Sequence, residues 1–354
     1  MNDLMEFLKA GQKKVHEYLG RKKGYYNTDL LREGIYHYFT AGGKGLRPGL
    51  VRIACGALGG DPENVIPAAA AVECFHTWTL VHDDIIDQDD LRRGQPTAHK
   101  YLAKRWTETV DEKMAKHGGL SIAILAGDCQ HGLVVNCLAD LSKPPYKYPP
   151  ELVIDLINTM ETDVLNTLIV GEADDVIYSR TPIRNLSINK IETMLLMKTA
   201  KLFEFCVAAG AALAQKKWDP KDKYQASLVK FAGDIGLAFQ LQDDLLGIIG
   251  DESKLGKPVG SDIQEGKRTT LVLHAYENGS DEDRNILENS LGSKDFNDTK
   301  SIIELFERTG SIDYLRERTS VLYKEAISSL SVLEDSIYKN LLIELAEKMI
   351  KREK

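Results

Sequence analysis

Cysteine is scarce in this chain and its spacing is uninformative. Five cysteines in 354 residues (Cys55, Cys74, Cys129, Cys137, Cys206) make an odd set with no CxxC pair. That excludes a disulfide framework and a zinc-ribbon pattern, and it leaves buried free thiols in a reducing cytoplasm as the expectation. Positive charge is also short. Lys and Arg total 45 against 53 Asp and Glu, a formal net charge of -8, so bulk charge offers nothing to a polyanion and a nucleic-acid role is not expected. Long hydrophobic runs are missing. No apolar stretch reaches the roughly 20 residues of a membrane span, and no stable membrane insertion is expected. The N-terminal stretch MNDLMEFLKAGQKKVHEYL is amphipathic and lacks the apolar core of a secretion signal. Alternating strand runs are absent too, and Asn278-Gly279 falls in the polar loop ENGSDED, not between strand-like segments. Neither a Ser-His-Asp nor a Cys-His nucleophile arrangement stands out.

What is present is helical. Apolar residues recur at three- and four-residue spacing, punctuated by Gly and Pro. The pattern predicts helices over 65–82, 121–141, 151–170, 190–213, 224–249 and 330–350, with the proline-rich SKPPYKYPP as a connection. Several are apolar around much of their circumference, as in AAAAVECFHTWTLVHDD, which places them centrally in a bundle. There is no repeat of fixed period and no clear linker. An all-α chain forming one large domain over residues 1–354 is expected. The polar stretch AKRWTETVDEKMAKHG, near 103–118, reads as a charged insertion in the form of a loop or short helix.

Two acidic clusters interrupt these apolar helices: Asp83-Asp84-Ile85-Ile86-Asp87 and Gln242-Asp243-Asp244-Leu245-Leu246-Gly247. Helical spacing puts Asp83 and Asp87 on one face with Asp84 beside them. Carboxylates crowded at core-like positions repel one another and resist burial. Divalent metal relieves that, and oxygen-only ligands suit Mg²⁺, which completes its shell with water and phosphate. The bland alternative, solvated acidic patches or helix caps, fits poorly with the apolar residues flanking both clusters.

Basic residues accompany the acidic ones. Lys44 and Arg47 lie in the Gly-rich stretch GGKGLRP, which lacks P-loop spacing. Arg92 and Arg93 follow the first cluster. Lys198-Thr199 ends the apolar segment IETMLLMKTA, and Lys257, Asp262 and Lys267 follow the second cluster. Taken singly, each lysine or arginine could be a solvated or snorkelling cation. Beside metal-binding carboxylates, they could grip phosphate oxygens. His76 and His82 lie on the first acidic helix, without a second histidine at metal-ligand spacing.

In this order GGKGLRP, HTWTLVHDDIIDQDDLRRGQPTAH, AILAGD, KTA, FQLQDDLLG and GKPVGSDIQEGKRT resemble the head-to-tail trans-prenyltransferases, the short-chain polyprenyl diphosphate synthases. The resemblance runs from about Gly42 to Thr270. It implies an all-α bundle around a deep central cavity, a homodimer, and condensation of isopentenyl diphosphate with an allylic diphosphate. It implies three Mg²⁺ per active site, held by Asp83, Asp84 and Asp87 and by Asp243 and Asp244. Lys198, Lys257 and Arg92, with Lys267 more weakly, match the residues that neutralise the allylic diphosphate. Lys44, Arg47, His76 and Arg93 match the isopentenyl diphosphate pocket, and Thr199 and Gln240 match groups lining the reacting carbons. The second motif departs from the common pattern, with Gly247 where a third aspartate is usual; Asp251, one turn on, is a candidate substitute.

Product length follows from the helix before Asp83. Trp78 and Phe75 lie five and eight residues earlier, about 7.5 Å and about 12 Å along the axis, and Thr79 at the fourth position is small. In the resembling family an aromatic at the fifth position alone accompanies archaeal-type geranylgeranyl synthases. Geranylgeranyl diphosphate is therefore expected, with farnesyl diphosphate, alone or alongside it, as the alternative. A class I terpene cyclase would not need the second basic pocket. A non-catalytic prenyltransferase subunit would be expected to lose an aspartate motif.

Overall fold

The computed structural model describes residues 3–40, 42–107, 109–250 and 259–351. The chain is all-α. In order it forms α1 (Leu4–Gly20), α2 (Asp29–Thr40), α3 (Leu46–Ala57) and α4 (Ile66–Ile86). A two-stranded hairpin follows, β1 (Leu91–Arg92) with β2 (Gln95–Pro96). Then come α5 (Ala98–Trp106), α6 (Glu112–Ala139), α7 (Pro150–Asn158), α8 (Leu165–Tyr178), α9 (Ile188–Leu195), α10 (Lys201–Gln215) and α11 (Lys223–Ile249). After a short helical turn at Ser261–Gln264 the chain closes with α12 (Thr270–Asn278), α13 (Asp281–Ser290), α14 (Phe296–Arg308), α15 (Ser311–Ser329) and α16 (Ile337–Ile350).

The packing divides into two compact units. The first holds Met1–Asn158, Cys206–Pro220 and Ser336–Leu341; the second holds Thr159–Phe205, Lys221–Asp335 and Leu342–Lys354. In the first unit α4 packs on α3 and α6, and α5 lies along α6. The alanine run of α4 explains this placement. Ala68, Ala69, Ala70, Ala71, Val72 and Cys74 are all fully buried, and small side chains let neighbouring helices approach from several sides. The charged stretch is helical at both ends, with Thr107 and residues 109–111 outside any helix. It forms the end of α5 and the start of α6, where Asp111 caps the new helix by accepting from Met114 N at 3.0 Å. Trp106 folds back onto Gly118, where an added Cβ would stand 1.7 Å from the indole. With this extension, Glu112–Ser142 becomes apolar and long enough to match a membrane span by composition. It packs against α4 and α5 within the first unit.

In the second unit α11 packs on α15 and on a π-helical turn, Leu196–Ala200, that joins α9 to α10. A second π turn, Thr159–Val164, precedes α8. The sequence pattern read both stretches as uninterrupted helix, because one extra residue per turn barely disturbs apolar spacing. The expected helix over 330–350 is also broken: a 3-10 turn, Leu330–Val332, precedes α16.

Candidate active site

The first acidic cluster ends α4, and its three aspartates have different surroundings. Asp84 is 0% exposed. One carboxylate oxygen accepts from Arg92 Nε at 2.7 Å and Nη2 at 2.5 Å, and the other accepts from the Tyr38 hydroxyl. Tyr38 in turn accepts from Ala98 N at 2.9 Å, so Asp84 ties α2, α4, β1 and α5 together. Both of its oxygens are engaged by protein donors. Asp83, half-buried, and Asp87, exposed at the C-cap, lie one helical turn apart on the other side.

The hairpin separates Arg92 from Arg93. Arg93 and Gly94 both take positive φ, 53° and 75°, the backbone of a tight two-residue turn. Arg92 therefore points to Asp84, while Arg93 Nη1 donates to the Gly42 carbonyl in the Gly-rich loop. Arg47 begins α3 just beyond that loop, and Lys44 is exposed on the loop itself. Burial pushes the Arg47 guanidinium below its usual range, against the pull of Glu73 and Asp83. Burial also pushes His76 well below the ordinary histidine range, reinforced by Arg47, Arg93 and Arg92. Glu73, three residues before His76, is pushed up by burial and held back by Arg47 and Arg93. Arg47 and Arg93 thus act on both His76 and Glu73, the one carboxyl group among them. Glu73 is a site residue the sequence reading missed; its i, i+3 relation to His76 was the available signal.

Toward the middle of α4 the aromatic rings form a cluster. Phe75 is fully buried and meets Trp78 edge-on, centroids 5.0 Å apart. Trp78 also contacts His82 at 5.6 Å and His131 of α6 at 5.4 Å. Gly127 makes room for this: a Cβ there would stand 2.6 Å from His82 Nε2.

The second unit gathers another group. Asp243 and Asp244 are half-buried on α11, with Gln240 one turn earlier. Burial holds the Asp244 carboxyl well above its usual range, with Asp262 next and Asp243 and Asp175 adding, while Lys267 opposes. The position opposite Gly247 is occupied: Asp262 Oδ2 lies 3.3 Å from where a Cβ on Gly247 would stand. Lys267 pairs with Asp262 at 3.3 Å and with Glu265 at 3.1 Å. Lys198, in the π turn, pairs with Glu172 at 2.8 Å and Asp175 at 2.7 Å. Thr199, beside it, is half-buried. Lys257 and Asp251 lie outside the described residues.

Among the described residues no three His, Cys, Asp or Glu side chains are grouped to hold a metal ion by themselves. The donor set still fits a hard divalent cation that takes most of its ligands from elsewhere. It consists of carboxylate oxygens, and among the described residues burial and Asp262 outweigh Lys267 at Asp244. Glu172, Asp175 and Tyr38 join Glu73 as residues the sequence reading did not name; Asp262 it named without a role.

A sequence model described as polyprenyl synthetase matches residues 28–309. The geranylgeranyl diphosphate synthase of Sulfolobus acidocaldarius is 35% identical over 340 residues, which cover 94% of this chain and 94% of that one. Among solved structures, geranylgeranyl pyrophosphate synthetase from Pyrococcus horikoshii superposes with a TM-score of 0.86 at 32% identity, covering 99% of this chain and 98% of that one. Geranylgeranyl pyrophosphate synthase from Corynebacterium glutamicum, complexed with isoprenyl diphosphate and magnesium, gives a TM-score of 0.84 at 27% identity and covers 99% of this chain and 100% of that one.

Proposed function

The chain belongs to the polyprenyl synthetase family, and from that premise we propose how its two units share the work. It is a trans-prenyltransferase that joins isopentenyl diphosphate head to tail to allylic diphosphates, with geranylgeranyl diphosphate as the main product. The observation that carries this reading is a family match running through both acidic clusters, in a chain whose first unit also sets Arg47, Arg92 and Arg93 to act on His76. One metal-bound diphosphate needs no second cationic group; two diphosphate substrates do.

Asp83 and Asp87 in the first unit and Asp243 and Asp244 in the second would hold Mg²⁺, with Asp262 supplying the charge that Gly247 lacks. When bound, the metal neutralises charge growing on the departing diphosphate. Asp84 acts differently: engaged by Arg92 and Tyr38, it fixes the direction from which Arg92 meets a diphosphate. Lys198 and Lys267, with Lys257 by family likeness, add cations that need no reorganisation as the allylic carbon–oxygen bond breaks and its electron pair stays on the diphosphate. The double bond of isopentenyl diphosphate then attacks the allylic cation. A proton leaves carbon 2, and the released diphosphate accepts it. Lys44, Arg47 and Arg93 hold isopentenyl diphosphate in place. His76, its pKa lowered by burial and three guanidinium groups, joins them by family likeness. Thr199 and Gln240 line the reacting carbons, and Trp78 backed by Phe75 forms the floor that stops elongation.

Both units work as one catalytic domain, two chains associate as a homodimer, and the enzyme acts in the cytoplasm, where its five free cysteines stay reduced. The decisive experiment incubates the protein with Mg²⁺, isopentenyl diphosphate and each allylic diphosphate in turn, then sizes the products by chromatography. A twenty-carbon main product is expected. Absence of any elongated product, or cyclic hydrocarbon formed without isopentenyl diphosphate, overturns the reading.

A further inference from the structure

Lys198 does not wait for substrate with its charge uncompensated. It sits in the π turn Leu196–Ala200, a local widening of the helix that re-aims side chains. Helix α8 presses on that turn through Gly171, where an added Cβ would stand 2.5 Å from Lys198 N and 2.8 Å from Met197 Cβ. This close approach brings the next residues of α8 to the ammonium. Glu172 and Asp175, three apart and so on one face, meet Lys198 Nζ at 2.8 and 2.7 Å. Side-chain exposures of 22% for Lys198, 14% for Glu172 and 28% for Asp175 make these charge-assisted bonds partly sheltered from water. One carboxylate would suffice to keep the lysine protonated. Two leave the trio with a net charge of about -1, close enough to Asp244 and Lys267 for Asp175 to act on both.

An excess negative charge is a poor receptor for a naked diphosphate and a good one for a diphosphate carrying a cation. We propose that Glu172 and Asp175 are positioning residues that aim Lys198 and make diphosphate recognition in the second unit conditional on divalent metal. A free diphosphate meets a trio that repels it and a lysine already held. A metal–diphosphate complex offers positive charge to the carboxylates and anionic oxygens to the ammonium. The inference rests on the reading above that Lys198 binds a diphosphate.

The test titrates inorganic pyrophosphate into the full chain by calorimetry, with and without Mg²⁺. An Arg47→Ala background weakens the first unit's basic pocket. Glu172→Gln removes one charge and keeps the shape. It is expected to tighten metal-free pyrophosphate binding about fivefold, as loss of one nearby partly screened charge requires, and to shrink the gain from Mg²⁺ by the same factor. Glu172→Asp keeps the charge and should retain the parent's Mg²⁺ gain, which a merely structural role for Glu172 would not predict. Lys198→Ala should weaken binding under both conditions. If Lys198→Ala weakens binding but Glu172→Gln leaves the Mg²⁺ gain unchanged, the conditional gate is overturned and the lysine assignment stands. If Lys198→Ala leaves pyrophosphate affinity unchanged, both fall together.

Discussion

Each unit carries an Asp-Asp pair on an apolar helix, and the protein treats the second member of each pair in opposite ways. In the first unit Asp84 is neutralised from within, by Arg92 and Tyr38. In the second unit Asp244 lies among carboxylates, its proton affinity raised by burial and by Asp262, with Lys267 opposing among the described residues. The same dipeptide thus meets protein donors in one place and, among the described residues, mainly other carboxylates in the other. A carboxylate's residue type says that it can bind metal; its neighbours decide whether it must.

The largest expected effect comes from removing the first member of each pair. Asp83→Ala and Asp243→Ala should each lower kcat by a factor on the order of a thousand, the scale of losing a preorganised group at developing charge, with little change in melting temperature. Full activity after EDTA treatment, or normal turnover in either variant, would break the comparison at its root.

Next in size is stability, and here the two units should respond with opposite signs. Asp84→Ala strands Arg92 and the Tyr38 hydroxyl, and should cost about 3 kcal/mol, the low end for breaking a buried pair. Asp244→Asn should instead stabilise the metal-free protein. The sign follows from linkage. The folded-state pKa of Asp244 is raised, so the folded protein binds that proton more tightly than the unfolded chain. The resulting stability is present at low pH and is lost as pH rises past the ordinary aspartate range to the raised value. Thermal melts in EDTA across that window should steepen for the parent and flatten for Asp244→Asn. A destabilised Asp244→Asn would show that the carboxylate is already satisfied.

A smaller effect separates the substrates. Arg47→Ala should raise the apparent KM for isopentenyl diphosphate about tenfold to a hundredfold, the cost of one charge-assisted bond, and spare the allylic substrate. Lys198→Ala should do the reverse. Unchanged isopentenyl diphosphate kinetics in Arg47→Ala would remove the basic pocket from the first unit's role.

Much of this architecture was legible in the residues. The aspartates, the Gly-rich loop and the long apolar helices carry local signals of spacing and composition. The partners of those residues carry none. Tyr38 reaches Asp84 from 46 residues away, and Asp262, in the helical turn Ser261–Gln264, fills the place beside Gly247. Glu172 and Asp175 precede Lys198 by a whole helix. These pairings are set by how helices pack, and a one-residue π turn that alters them leaves the apolar period almost intact. The divergence of Arg92 and Arg93 depended on positive φ at Arg93, a conformation no propensity predicts for arginine.

The smallest effect belongs to the first unit alone, and it concerns product length and not rate. Trp78 is not an isolated side chain at the foot of a channel. It is wedged by Phe75 behind it, His82 on its own helix and His131 from α6. Removing the ring should therefore open space without disturbing the aspartates one turn further on. Trp78→Ser should retain most turnover and shift the products beyond twenty carbons. Phe75→Ala added to it should lengthen them again, but at a stability cost of about 3 kcal/mol or more, because Phe75 is fully buried. His131→Ala offers a gentler route. It leaves the indole in place and removes one of its supports, so a mixed product distribution is expected, with a tail of longer chains. Chromatography of the dephosphorylated products distinguishes the three variants. If Trp78→Ser keeps the parent distribution while His131→Ala alters it, the floor lies on α6; if all three keep it, the ring cluster is ordinary core packing and elongation stops elsewhere.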